Sequence, residues 1–141
     1  MKYLYFIVTL LMINSNIKCN GIKKGTFVSR DENTGTTVIQ RNDTIQLEEN
    51  KKLGTIFLQK IKWVNDCEYI IYDTKTIRDD INLDMSKKTF KVTFKESKNN
   101  IYNISVLIEP ANFNFDMSVE KISDDVGKDF YKRVKEYTKK D

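Results

Sequence analysis

Histidine is absent from this 141-residue chain. Its absence removes the usual general base near neutral pH, the Ser-His and Cys-His nucleophile pairs and most zinc sites. Proline occurs once and glycine five times, which argues against a linker-rich or low-complexity chain. No glycine-rich phosphate loop is present. Charge of one sign is not in excess either. The formal net charge is +4 although 31% of residues are charged, so no nucleic-acid footprint is expected. These absences lead us to expect no catalytic residue, no cofactor, no metal and no nucleic-acid partner.

What is present begins with an export pattern. Lys2 supplies a positive start, and Tyr3 to Ile13 is apolar except for Thr9. That run has the length of a signal-peptide core and is too short to span a bilayer comfortably. Asn14, Ser15 and Asn16 follow at once. Residues 1–15 are therefore expected to be a cleaved signal peptide, with the cut falling as late as residue 19. No stable membrane insertion is expected after its removal. Without Lys2 the formal charge drops to +3. Residues 16–141 are the right length for one modest domain, expected to be periplasmic or secreted. Lipidation of a new N-terminal Cys19 is an alternative, although Lys18 is a poor residue to precede it.

Short segments then alternate apolar and polar, the signature of half-buried strands. They are Gly25–Arg30, Thr36–Arg41, Thr44–Glu48, Thr55–Trp63, Cys67–Asp73, Thr89–Lys95 and Ile101–Ile108. Asn42-Asp43 suits a tight hairpin turn, and Thr76–Lys87 reads as a loop. The pattern predicts a mainly β fold: an antiparallel β-meander forming a small barrel or half-barrel, with a C-terminal α-helix. That helix is expected over 124–140. Ser123 suits its N-cap, Asp124 and Asp125 its first turn, and Val126, Phe130, Val134 and Tyr137 recur at helical spacing. A helix docked on the sheet is the plain reading; a basic anchor on a membrane surface is the other.

Cys19 and Cys67 are the only cysteines. In an exported domain such a pair suggests one disulfide, worth roughly 4 kcal/mol by loop entropy. Two blocks carry a resemblance: Cys19-Asn-Gly-Ile-Lys-Lys-Gly-Thr-Phe27 and Lys62-Trp-Val-Asn-Asp-Cys-Glu-Tyr69. With Thr37-Val-Ile-Gln-Arg41 and Gln46-Leu-Glu48 between them, they resemble a group of small exported proteins of Bacteroidetes, flavobacteria especially. The resemblance spans about Cys19 to Tyr72. It implies secretion, a β-rich fold, a Cys19–Cys67 bond and cleavage before Cys19. It implies no activity. A topoisomerase label sometimes attached to the group finds no support in a near-neutral chain of this size.

The remaining candidates are weaker. Asp80-Ile-Asn82-Leu-Asp84 imitates the start of a calcium loop, but Met85 and Lys91 stand where glycine and glutamate belong. Phe57, Ile61, Trp63, Tyr69, Phe90, Phe94 and Tyr102 either line or fill the barrel. Trp63 and Tyr69 are placed to meet across a hairpin. Glu68 is a ligand contact if its face lines the lumen, and otherwise a cross-strand partner of Lys60 or Lys62. The function expected is therefore a non-enzymatic binding or interaction module, whose partner is a small apolar ligand or an envelope protein. The alternative is a carboxylate-dependent hydrolase of the cell envelope. It requires two acids among Glu68, Asp73, Asp79 and Asp80 to converge within about 5–10 Å.

Overall fold

Alternation along the chain becomes alternation across a wall. In the segment around Phe90, Val92 and Phe94, those three side chains are buried while Lys91 and Lys95 are exposed, the two-residue period of a pleated strand. The computed structural model describes residues 19–139. The signal-peptide reading of residues 1–15 and the expected helix end at Lys140 lie outside the described residues. Eight strands follow in chain order. They are β1 (Gly25–Asp31), β2 (Gly35–Arg41), β3 (Ile45–Asn50), β4 (Thr55–Asn65), β5 (Glu68–Asp79), β6 (Thr89–Lys98), β7 (Ile101–Glu109) and β8 (Phe113–Ser123). Among the described residues there is one helix, α1 (Phe130–Thr138), after β8.

Each strand pairs antiparallel with the next, and β8 returns to β1 to close the barrel. Closure places Thr26 opposite Ser123 and Phe27 opposite Lys121. Gly25 makes that approach possible. Its φ is +139°, and a Cβ built there would lie 2.4 Å from the Ser123 carbonyl oxygen, so a side chain would collide with backbone.

Three expectations need correction. Thr76–Lys87 is not all loop, because β5 runs on to Asp79. There Thr76 and Asp79 pair with Phe57 and Thr55 of the long β4 strand. An eighth strand, β8, lies where none was expected. The helix begins at Phe130 rather than at residue 124. Ser123 is the last residue of β8, and its hydroxyl accepts from the Asp125 amide in a turn rather than capping a helix. Val126 nevertheless joins Phe130, Val134 and Tyr137 in one cluster, so the stripe is real although its first member precedes the helix.

The apolar side chains form two separate cores. One fills the barrel, with Phe27, Ile39, Tyr69, Phe94 and Val119 among its members. The other lies outside the wall, where Val126 and Phe130 cover Leu47 of β3 and Leu58 of β4. Phe130 is fully buried there, a contribution of about 1.5–3 kcal/mol. Arg133 ties the helix to the same wall by donating to Glu49 at 2.7 Å.

Candidate functional site

The two ends of the barrel differ. One end carries the N-terminal segment, the turns after Arg41, Asn65 and Lys98, and the exit from β8. Here Cys19 and Ile22 are buried as a plug. Cys19 lies at disulfide distance from Cys67, with Cα atoms 5.2 Å apart, inside the usual range. At this closed end Arg41 points inward at 2% exposure. Its Nε donates to the Ile22 carbonyl at 2.9 Å and its Nη1 to the Tyr69 hydroxyl at 2.7 Å. Its guanidinium carbon lies 4.1 Å from the Phe27 ring centre and 4.9 Å from that of Tyr69, a cation–π box. Desolvation lowers the pKa of Arg41 and raises that of Tyr69.

From this box a polar chain leads up the inside. Gln46 accepts from Tyr69 at 3.2 Å and donates through Nε2 to Gln59 at 3.0 Å. Glu48 comes next on the same face, since register sets it between Ile39 and Phe57. Burial pushes its carboxyl up to about 7, against the opposing effect of a hydrogen bond with Gln46.

The opposite end bears the turns after Asp31, Asn50, Asp79 and Glu109. Toward it the inward-facing Ser29, Glu48, Thr74, Ile108 and Phe115 are half-buried, although Asn50 and Thr55 there are buried and Trp63 near the plug is half-buried too. The ladders explain why this end is the more exposed. β5 pairs with β6 only from Glu68 to Ile71, and β1 meets β8 only from Thr26 to Val28. Two seams therefore lack a ladder at this end. One wall of the opening, from β3 to β5, carries Glu48, Thr74 and Asp79. Thr74 Oγ1 and Asp79 Oδ1 are buried without a hydrogen-bond partner. The other wall, from β6 to β8, is apolar, with Ile108, Phe113 and Phe115. Phe113 is 57% exposed, and its ring centre lies 6.0 Å from that of Phe115.

The residues singled out from sequence divide between core and surface. Phe57, Ile61, Tyr69, Phe90, Phe94 and Tyr102 are buried in the barrel, and Trp63 is packed against them. Trp63 and Tyr69 do face each other across the β4–β5 hairpin, ring centres 4.8 Å apart. Glu68 turns outward, so it lines no lumen. It accepts from Thr93 at 3.1 Å and pairs with Lys91 at 3.3 Å, whereas Lys60 pairs with Asp73 at 2.5 Å. The four candidate acids do not gather. Glu68 and Asp79 stand at opposite ends of β5, Asp73 is exposed with Lys60, and Asp80 is held by Arg78. Among the described residues no group of three His, Cys, Asp or Glu side chains is placed to hold a metal ion.

Sequence reading missed Arg41, Gln46, Glu48 and Gln59 as inward residues. In β3 the apolar members Ile45 and Leu47 face the helix outside, so hydrophobicity points to the wrong face; in β4 both faces are apolar, Ile56 and Leu58 toward the helix and Phe57 and Ile61 toward the barrel. For Gln59 a signal was available, since it falls on the same alternating face as Phe57, Ile61 and Trp63.

Among the described residues no helix is long and apolar enough to cross a membrane. Fold and site together define a closed antiparallel β-barrel plugged at one end and more exposed at the other. No protein-family model matches the chain, nor does any curated protein or solved structure.

Proposed function

We propose that this protein is an exported, non-enzymatic binding module that holds a small amphipathic ligand in the open half of its barrel. One observation carries the reading: five inward-facing residues toward the other end, Ser29, Glu48, Thr74, Ile108 and Phe115, keep partial exposure, and Phe113 there is exposed. Ligand pockets in barrels of this size commonly occupy such mouths. The two walls set the ligand's character. Ile108, Phe113 and Phe115 favour an apolar body, while Glu48, Thr74 and Asp79 favour a group that donates hydrogen bonds. The leader pattern of Lys2 and Tyr3–Ile13, the Cys19–Cys67 pair at disulfide distance and the resemblance to exported flavobacterial proteins support the location.

The test uses N-phenyl-1-naphthylamine, a neutral apolar amine whose fluorescence rises on burial. We expect saturable enhancement that is weakened by Phe115→Asp. Val64→Asp should leave it unchanged, since Val64 is exposed at the plugged end. Absence of saturable binding, or equal binding by both variants, would overturn the reading. Export is checked separately, by mass spectrometry of the protein from its own host. Residues 1–15 at least should be missing.

A further inference from the structure

Two buried donors at the plugged end have no acceptor. Arg41 Nη2 and Trp63 Nε1 are both enclosed and both without a hydrogen-bond partner. The Arg41 guanidinium carbon lies 5.9 Å from the Trp63 ring centre. The other guanidinium nitrogens are engaged: Nε with Ile22, and Nη1 with Tyr69 and Gln46. Among the described residues no carboxylate compensates the charge. The ionisable groups that bear on Arg41 are the phenols of Tyr69 and Tyr102, and the nearby lysines are each taken by an acid of their own. Lys23, 5.5 Å from the Trp63 ring centre, pairs with Asp66. Lys121, 5.9 Å from the Phe27 ring centre, pairs with Asp124.

A buried cation without a counter-charge is costly, and a buried N–H without an acceptor adds to the cost. Neither donor can accept, since guanidinium and indole N–H groups donate only. Whatever satisfies both must therefore be an acceptor, and it relieves most when it carries negative charge. The surroundings limit its size. Phe27, Tyr69, Phe94 and Ile22 are all almost fully buried around the guanidinium. Two open N–H groups suit a monatomic anion better than an oxoanion, whose several oxygens would need more donors.

We propose that Arg41 Nη2 and Trp63 Nε1 form a halide site at the plugged end of the barrel, beside the Cys19–Ile22 segment. The anion neutralises the buried guanidinium and fixes Arg41 against the plug. The site is independent of the open half, so it stands or falls apart from the ligand-binding reading.

Trp63 is the only tryptophan, so its indole N–H gives a single, assignable resonance. Protein held in gluconate buffer, an anion too large to enter, is titrated with bromide at constant ionic strength. The indole resonance is expected to shift and saturate at millimolar bromide. Arg41→Lys, which keeps the charge but loses the fork, should weaken the response about tenfold or more. An indole resonance that stays put through the titration would overturn the proposal and assign the acceptor to water. Should Arg41→Lys fail to fold, anomalous scattering from bromide in crystals of the unaltered protein decides. A peak within hydrogen-bond distance of Arg41 Nη2 supports the site; a map without one rejects it.

Discussion

Arg41 Nη1 donates to the Tyr69 hydroxyl at 2.7 Å inside the barrel, and that hydroxyl donates on to Gln46 at 3.2 Å. A cation thus reaches the polar lumen through a phenol. Tyr69→Phe removes the short contact and leaves Nη1 with only the longer one to Gln46, at 3.3 Å. Losing the partner of a buried charge should cost about 1–3 kcal/mol in urea unfolding. Arg41→Met removes the charge itself, so adding Tyr69→Phe to it should cost clearly less than Tyr69→Phe alone. Additive effects would mean that the two side chains do not act together.

Gly25→Ala tests the closure of the barrel. Gly21 and Gly25 both have positive φ, but only Gly25 faces backbone, 2.4 Å from the Ser123 carbonyl oxygen; at Gly21 the nearest atom is the flexible Lys121 ammonium at 3.5 Å. Gly21→Ala should cost about 1 kcal/mol for its φ alone. Gly25→Ala should cost more, about 2–3 kcal/mol, because the β1–β8 seam must part as well. Equal losses from the two variants would show that the seam tolerates the displacement.

Much of this architecture is legible from alternation, and the exceptions have physical causes. Phe90, Val92 and Phe94 announce β6 because one face meets the core and the other meets water. Phe113, Phe115, Met117 and Val119 alternate just as cleanly in β8, so that strand was available to the sequence reading. The helix start is a harder problem. Val126 sits at helical spacing from Phe130 and in the same cluster, yet Gly127 between them takes φ +85°, and the chain turns before the helix begins. The polar lumen is hidden for a further reason. A docked helix makes the outside of β3 apolar, so Leu47 looks like core while Gln46 and Glu48 look like surface.

The Cys19–Cys67 pair spans 48 residues. Its bond is therefore worth roughly 4 kcal/mol against the unfolded chain, a large share of the about 5–15 kcal/mol typical of a domain. Cys19→Ala/Cys67→Ala should lower unfolding stability by about that amount. It should also release Ile22, whose carbonyl holds Arg41, so amide exchange should quicken from Ile22 to Thr26 before it quickens elsewhere. Unchanged stability with unchanged exchange would mean that packing alone holds the plug.

Glu48 makes stability depend on pH in a window of its own. Its carboxyl ionises near 4.5 in the absence of burial and is raised to about 7 in the fold. Between those values the folded protein holds a proton that the unfolded chain has released. Stability is therefore fully present below 4.5, falls as pH rises through the window, and levels off above about 7. The half-buried side chain retains some solvent, which limits the loss to about 2 kcal/mol. Exposed carboxylates act in the opposite sense and lower down. Ser86 holds Asp84 below its usual value, and Lys95 does the same for Asp116, so their contribution disappears only as pH falls into the range where they protonate. Urea midpoints measured from pH 4 to pH 8 should thus decline across the upper part of the range. Glu48→Gln keeps the shape and the hydrogen bonding but cannot ionise, so it should flatten that decline and leave the acid limb in place. A decline that persists in Glu48→Gln would place the responsible proton elsewhere. In the unaltered protein, saturating the open half with a cationic amphiphile should bring the carboxylate back toward its ordinary range and release a proton near pH 6, measurable as a dependence of binding heat on buffer ionisation.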